Sequence, residues 1–184
     1  MDIFLLRHAE TESNKKGSLS SCSEDPLTAK GVEQSFYIVD SLRKLGVQTI
    51  LCSPYPRARK TIEPFSKAVG IEVEPHGSLS EGQLILESSV EPENPLYSGV
   101  REYPIVGETK GQFIGRAMKA AELILRQEHE RILVVSHGHM IRELLNLFLQ
   151  PAQKTRFPHA NCGLSWLSVG DCQMIHYINR QLSH

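Results

Sequence analysis

One feature constrains the fold of this chain more than any other: short, almost wholly apolar runs alternate with segments of helical periodicity. Three such runs cover residues 3–6, 49–52 and 132–135. A strand that is apolar at every position is buried on both faces of its sheet, which is typical of parallel strands covered by helices. We therefore predict that the first run, Ile3–Leu6, forms a central parallel strand.

Four further segments carry apolar residues at helical spacing. These residues are Val32, Phe36, Val39, Leu42 and Leu45, then Ala58, Ile62, Phe65 and Val69, then Phe113, Ala117, Ala120, Ala121 and Ile124, and finally the segment Met140–Leu149. Gly46 and Gly70 follow the first two segments and can adopt the left-handed conformation that ends a helix. Strands that alternate with helices predict an α/β fold, a three-layer α/β/α arrangement with a mostly parallel central sheet.

Two regions depart from this alternation. Residues 164–169 and 174–178 flank Gly170-Asp171, which predicts a closing hairpin at one edge of the sheet. Residues 72–111 lack periodicity and hold four prolines, which predicts strand remnants within a long irregular segment. For 184 residues, 40% of them hydrophobic, we expect a single domain over residues 1–184.

Charge and composition exclude several classes of partner. Lys plus Arg number 20 against 21 Asp plus Glu, so we expect neither nucleic acid nor an anionic membrane as a partner. The four cysteines lack CxxC spacing, which favours free thiols in a reducing compartment. The N-terminal apolar run is too short for a signal peptide or a membrane span. We therefore expect a soluble, cytoplasmic protein.

Three of the predicted strands end in residues that can bind an anion. Arg7-His8 follows the first strand, Ser53-Pro54-Tyr55-Pro56-Arg57 follows the second, and Ser136-His137-Gly138-His139 follows a later one. Because the carboxyl ends of parallel strands share one edge, we expect these groups to converge on one small anion. Phosphate is the natural ligand, since a guanidinium group can donate two parallel hydrogen bonds to its oxygens.

A metal site is the competing interpretation of one of these motifs. His137 and His139 have the H-x-H spacing of a metal-binding pair, but no carboxylate or cysteine spacing completes a ligand set. We expect no metal there and predict instead that His139 opens a helix. A lone His or Arg at a strand end is more often structural than catalytic, so the prediction depends on the three motifs acting together.

Five segments also match a known family in order and spacing. They are Leu6–Asn14, Pro26–Gly31, Ser53–Thr61, Leu79–Glu81 and Val135–Gly138. Together they resemble the motifs of the histidine phosphatase superfamily, also called the phosphoglycerate mutase-like family. The resemblance extends from Met1 to about Val169 and implies the three-layer fold of that family.

The resemblance also implies a role for each matched residue. His8 would attack phosphorus and become phosphohistidine, and Glu81 would protonate the leaving oxygen. The phosphate would be held by Arg7, Asn14, Arg57 and His137, without a cofactor. A neutral imidazole nitrogen is a competent nucleophile, and positioned charges supply most of the stabilisation in phosphoryl transfer.

The chain departs from the family pattern at three places. Ala9 stands where the family most often has glycine, and Ser13 stands where an aromatic residue is common. The stretch Gly17–Cys22 does not follow the usual phosphate-contacting loop, so no site residue is assigned to it. Other carboxylates compete with Glu81 for the role of the acid, namely Glu10, Glu12 and Glu87.

The charge of the segment after Glu81 bears on the reaction. Members that resemble the glycolytic mutases have a longer insertion here, with basic residues. Between Glu81 and Phe113 this chain has only two basic residues, Arg101 and Lys110, against Glu87, Glu91, Glu93, Glu102 and Glu108. That is a poor lining for a doubly anionic substrate. We therefore predict a metal-independent phosphatase that releases inorganic phosphate from a small phosphorylated metabolite.

Several alternatives stay open at this point. They are phosphoglycerate mutase-type phosphoryl transfer, a protein phosphohistidine or phosphoprotein phosphatase, a non-catalytic phosphate-binding domain, and a metal-dependent hydrolase that uses His137 and His139. The residues that contact the leaving group fall within the aperiodic residues 80–111. The oligomeric state is not fixed by the sequence, and a homodimer stays open.

Overall fold

The central sheet has the strand order β3-β2-β4-β1-β5-β6. It is seen in a computed structural model that describes residues 1–18, 24–82, 107–153 and 155–182. The strands are β1 (Asp2–Arg7), β2 (Thr49–Cys52), β3 (Val73–Pro75), β4 (Arg131–Ser136), β5 (Gly163–Ser168) and β6 (Met174–Gln181). Strands β3, β2, β4 and β1 run parallel, and β5 and β6 add antiparallel pairs. The predicted α/β class is confirmed.

Helices cover both faces of this sheet. They are α2 (Ala29–Arg43), α3 (Pro56–Val69), α4 (Lys110–Leu125) and α5 (Gly138–Leu149), whereas the short α1 (Glu12–Lys15) buries no residue. One apolar core includes Ile3 and Leu5 of β1 with residues of α4 and α5, and the other includes Phe4 and Leu6 with residues of α2 and α3. Successive side chains of a strand point to opposite faces, so a strand between two cores is apolar at every position.

The prediction that β1 is a central strand is confirmed, with one difference. Its neighbour on one side, β4, is parallel, whereas its neighbour on the other side, β5, is antiparallel. The difference arises because β5 and β6 form the predicted C-terminal hairpin, which lies against β1 and places β6 at the edge of the sheet. The carboxyl end of β1 nonetheless lies at the same edge of the sheet as those of β4 and β2.

The predicted buried face of α2 is wrong at two positions. Val32 is 45% exposed and Phe36 is 62% exposed, whereas the buried residues are Gly31, Ser35, Ile38 and Leu42. Gly31 sets this orientation, because a Cβ atom added there would lie 2.0 Å from the carbonyl oxygen of Glu10. The helix rests on backbone at Gly31, and residues at helical spacing from that glycine face inward with it.

The aperiodic region is described only in part. Strand β3 and a 3₁₀ turn (Gly77–Leu79) confirm the predicted strand remnant. Residues 83–106 lie outside the described part, as do residues 19–23, which include most of the stretch Gly17–Cys22 to which no site residue is assigned. Within the described ranges, no helix is both long and apolar enough to cross a membrane. Cys52, Cys162 and Cys172 are free thiols, as predicted.

The contact at Gly31 gives a testable prediction. Gly31→Ala should lower the free energy of unfolding by about 1–3 kcal/mol, because the methyl group forces α2 away from the Glu10 backbone. Urea denaturation measures the change. Gly115→Ala is the matched control, since a Cβ atom at this helical glycine meets nothing within 4 Å and should be neutral or stabilising. Equal stability of the two variants would contradict the prediction.

Candidate active site

The carboxyl ends of β1, β2 and β4 meet at one edge of the sheet. Strand β1 pairs with β4 up to Arg7 and Ser136, and β2 lies on the other side of β4. Hydrogen bonds continue past the strand ends, from His8 N to Ser136 O (3.0 Å) and from Ser53 N to Val135 O (2.9 Å). The three predicted motifs are therefore brought together, as the parallel topology required.

His8 is a buried, neutral imidazole at the centre of this edge. Its side chain is 3% exposed, and Nδ1 lies 2.8 Å from the carbonyl oxygen of Ala9. Because a carbonyl only accepts, Nδ1 carries the proton and Nε2 carries the lone pair. Burial lowers the pKa of His8 to about 3, and the Arg7 and Arg57 guanidinium groups act in the same direction. His8 is therefore a neutral imidazole at pH 7, the state that a histidine nucleophile requires.

The backbone that follows His8 is fixed by the first turns of α3. Ala9 N donates to Thr61 Oγ1 (2.8 Å), and Thr61 Oγ1 donates to the carbonyl oxygen of Arg57 (2.7 Å). Ala9 is fully buried, so a small side chain suits this position. Thr61 thus links the backbone next to His8 to the helix that carries Arg57.

Glu10 is held by the segment that opens α2. Thr28 Oγ1 donates to Glu10 Oε1 (2.9 Å), and Lys30 Nζ donates to Glu10 Oε2 (2.8 Å). The hydrogen bond from Lys30 lowers the pKa of Glu10, with a further contribution from Thr28. A carboxylate that is ionised and accepts two hydrogen bonds is a poor proton donor. Glu10 is therefore a structural residue of the loop, and Glu87 lies outside the described part of the chain.

Arg57 and His137 form a buried pair beside His8. Arg57 is 1% exposed and donates from Nε to His137 Nδ1 (3.3 Å). His137 Nε2 therefore carries the proton and donates to Ser53 Oγ (2.7 Å). Burial holds the pKa of His137 well below its usual value, and His8 and Arg57 add to the effect. The two histidine rings are 5.1 Å apart between centroids.

Arg7 approaches the same place from β1. Its Nη1 donates to the carbonyl oxygen of His159 (2.5 Å), while its Nε is buried with no hydrogen-bond partner among the described residues. Gly138, the first residue of α5, lies beside that Nε, since a Cβ atom there would be 3.8 Å away. A buried N–H without a partner is free to donate to a bound oxyanion, and a helix N-terminus favours negative charge.

Glu81 lies at the same edge, just after the 3₁₀ turn. Its carboxylate is close enough to Arg7 to oppose the lowering of the pKa of Arg7 that burial causes. Glu81 Oε1 accepts from Gly82 N (2.9 Å) and lies 4.0 Å from His139 Nδ1. The side chain is 17% exposed, so it is accessible to solvent.

The two histidines of the H-x-H pair, His137 and His139, make different contacts. Both ring nitrogens of His137 contact protein groups, and His139 faces Glu81 from the first turn of α5. The prediction that His139 opens a helix is confirmed. In the part of the chain that the structure describes, no three His, Cys, Asp or Glu side chains are grouped to hold a metal ion.

Asn14 reaches His8 through another residue. It closes a capping box with Thr11 at the start of α1. Its Oδ1 accepts from Asn161 Nδ2 (2.7 Å), and the same Nδ2 donates to the carbonyl oxygen of His8 (3.0 Å). Asn14 is therefore near His8 but is separated from the His8 backbone by Asn161.

The segment before β5 is a part of the site that the sequence did not reveal. Besides the contacts of His159 and Asn161, Cys162 N donates to the carbonyl oxygens of Arg7 (3.2 Å) and His8 (3.3 Å). Most of these contacts use backbone groups, so they cannot be predicted from a pattern of residue types. Burial raises the pKa of the Cys162 thiol to about 12, which makes it inert.

The depressed pKa of His8 predicts how stability depends on pH. Between pH 6.5 and about 3 the unfolded chain binds a proton at His8 that the folded protein does not, so the free energy of unfolding decreases as pH falls. His8→Asn should remove up to about 1.4 kcal/mol per pH unit of this slope. Urea denaturation in phosphate-free buffer measures it. The exposed His129→Asn should keep the wild-type slope, and an unchanged slope in His8→Asn would refute the assignment.

Comparison with known proteins agrees with this geometry. Residues 3–179 match the model of the histidine phosphatase superfamily (branch 1). A "Probable phosphoglycerate mutase GpmB" of Shigella dysenteriae serotype 1 (strain Sd197) is 30% identical over 192 residues, covering 92% of this chain and 89% of the relative.

Solved structures share the fold. The alpha-ribazole phosphatase from Shigella flexneri has a TM-score of 0.81 at 23% identity, covering 100% of this chain and 98% of that one. The mycobacterial glucosyl-3-phosphoglycerate phosphatase, in complexes with VO3, has a TM-score of 0.76 at 19% identity, covering 98% and 99%. The match of the family model over nearly the whole chain shows that this protein belongs to the histidine phosphatase superfamily.

Proposed function

We propose that this protein is a phosphomonoesterase that forms a phosphohistidine on His8 and transfers the phosphoryl group to water. The observation that carries the proposal is the state of His8, a buried neutral imidazole with its Nε2 lone pair available. Arg7 and Arg57 lower the pKa of this imidazole, and the ring of His137 lies 5.1 Å from it. A site that only bound phosphate would need the cations but not the nucleophile.

In the first step His8 Nε2 attacks phosphorus, a P–N bond forms and the P–O bond to the leaving group breaks. Arg7 and Arg57 would stabilise the equatorial oxygens by hydrogen bonds and charge, and neutral His137 would add a hydrogen bond by turning its Nε2–H from Ser53 Oγ to a phosphoryl oxygen. Glu81 would donate its proton to the departing oxygen. In the second step Glu81 would take a proton from water, whose oxygen attacks phosphorus. The P–N bond then breaks, which releases inorganic phosphate and restores neutral His8.

Glu81 is the best candidate for the acid among the described carboxylates considered for the role. Glu10 is bonded to Lys30 and Thr28, which favours its ionised form. Glu81 is partly exposed, and among the described residues its carboxylate accepts one backbone hydrogen bond and lies near His139. Such a group can exchange protons with a leaving group and with water.

Transfer to water is favoured over isomerisation by two arguments. The segment after Glu81 is acidic, which suits a singly phosphorylated substrate better than a doubly anionic one. Two solved structures with this fold carry the names of phosphatases. The competing function, phosphoglycerate mutase, is supported by the name of the relative from Shigella dysenteriae. Parallel assays of p-nitrophenyl phosphate hydrolysis and of 3-phosphoglycerate isomerisation distinguish the two.

The substrate is proposed to be a small phosphorylated metabolite, and the reaction is proposed to need no metal. Hydrolysis that persists in EDTA and is inhibited by vanadate would support this mechanism. Loss of activity in EDTA would instead favour the metal-dependent hydrolase. A screen of phosphorylated metabolites and phosphopeptides, ranked by kcat/KM, would identify the substrate class because that ratio measures discrimination in the transition state.

His8→Ala should abolish turnover, since no other described group at the site is placed as a nucleophile. Brief incubation of the unmodified protein with labelled substrate should trap an acid-labile, base-stable phosphoenzyme that the variant lacks. The exposed His129, which precedes the amino end of β4 and so lies away from the site, provides a control: His129→Gln should still form the phosphoenzyme. Full activity of His8→Ala would disprove the mechanism.

Glu81→Gln should slow phosphoryl transfer chiefly for substrates with poor leaving groups. An alkoxide must be protonated as it departs, whereas p-nitrophenolate needs little help, so the two rates should separate by about tenfold or more. Single-turnover phosphorylation of His8 with an alkyl phosphate and with p-nitrophenyl phosphate measures the effect. Equal losses on both substrates would count against Glu81 as the acid.

A further inference from the structure

We infer that Arg116 is a positioning residue that fixes Glu81 for proton transfer. The inference deepens the proposed function, because it takes Glu81 to be the acid of that reaction. Arg116 belongs to α4, in a segment that no predicted motif covered. It lies behind the turn that carries Glu81 and contacts that turn through its guanidinium group.

The guanidinium of Arg116 is saturated with acceptors. Nη1 donates to the carbonyl oxygens of Ser78 (3.0 Å) and Ser80 (2.7 Å), and Nη2 donates to that of Glu81 (3.2 Å). Nε donates to Glu108 Oε2 (3.0 Å), and Nη2 also contacts Glu108 Oε1. An arginine has five N–H donors, and these five bonds use them all. Arg116 therefore has none left for a phosphate and acts through Glu81.

Glu108 balances the charge of Arg116. The side chains of Arg116 and Glu108 are 22% and 17% exposed, so both are largely shielded from solvent. A bidentate pair of this kind holds the guanidinium plane in a fixed orientation. The pair thus presents three N–H donors to three backbone carbonyls in a geometry that lysine, with a compact ammonium group, cannot reproduce.

A second contact holds the same turn from the side of Phe113. The Arg116 guanidinium lies 5.3 Å from the centroid of the Phe113 ring, and a Cβ atom added to Gly82 would lie 2.9 Å from that ring. The residue after Glu81 is therefore pressed against α4. The turn has little regular structure of its own beyond the 3₁₀ turn that precedes it. Its position depends on these contacts, and a displacement of about 1 Å at a catalytic group can cost about a hundredfold in rate.

The test is a double-mutant cycle between Arg116→Lys and Glu81→Gln. Arg116→Lys should lower kcat for an alkyl phosphate by about tenfold or more and change the rate with p-nitrophenyl phosphate by less than about threefold. In the Glu81→Gln background the same substitution should cause no further loss, because the residue acts through Glu81. KM should change little, since Arg116 does not contact substrate.

Arg126→Lys is the matched control. Arg126 immediately follows α4, is exposed, and pairs with Glu122 at 3.7 Å. That variant should match the unmodified protein on both substrates. If Arg116→Lys folds poorly, as its melting temperature would show, Glu108→Gln replaces it. This variant keeps the contacts of Arg116 with the turn but loosens the orientation of the guanidinium, so it should show a smaller selective loss.

Three results would overturn the inference. They are equal losses on both substrates, losses that add to those of Glu81→Gln, and an effect on KM alone. If Glu81→Gln itself shows no dependence on the leaving group, the proposed role of Glu81 fails and the inference fails with it. If Glu81→Gln shows the dependence and Arg116→Lys does not, only the inference fails.

Discussion

The concentration of positive charge at the end of β1 is the constraint on which the rest of the site depends. A guanidinium removed from water needs acceptors or negative charge around it. Arg57 contacts the lone pair of a neutral histidine, and Arg7 contacts a backbone carbonyl. Burial, together with the charge of these arginines, lowers the pKa of both histidines, so His8 is neutral as a consequence of the same packing that gathers the cations. In the proposed reaction an incoming phosphate would supply the compensating charge.

Much of this arrangement follows from the sequence because it depends on side-chain type and on strand direction. The continuous apolar run of β1 predicts two cores, and the parallel pairing of β1 with β4 brings His8 and His137 to one edge. The orientation of α2 could not be predicted, since the contact of Gly31 with the Glu10 backbone outweighs its apolar stripe. The contribution of the segment before β5 could not be predicted for a related reason: its contacts use backbone groups, which leave no pattern of residue types.

The site also divides into two mechanical parts. His8, Arg57 and His137 are tied to strands, to α3 and to one another by short buried contacts. Glu81 is on a turn that α4 holds from outside through Arg116 and Phe113. In the proposed mechanism the first part binds and transfers the phosphoryl group, which is common to every phosphomonoester. The second part would meet the leaving group, in which phosphomonoesters differ, so selection for a new substrate could change one part while the other is kept.

The hydrogen bond from His8 Nδ1 to the Ala9 carbonyl has a stereochemical consequence. An imidazole has two nitrogens that can carry phosphate, and free histidine yields both regioisomers. Here the backbone occupies one of them, so the proposed intermediate is a single regioisomer with phosphorus on the nitrogen remote from the main chain. The fold thereby determines the site of covalent attachment with one carbonyl group, and it does so whatever the phosphate donor.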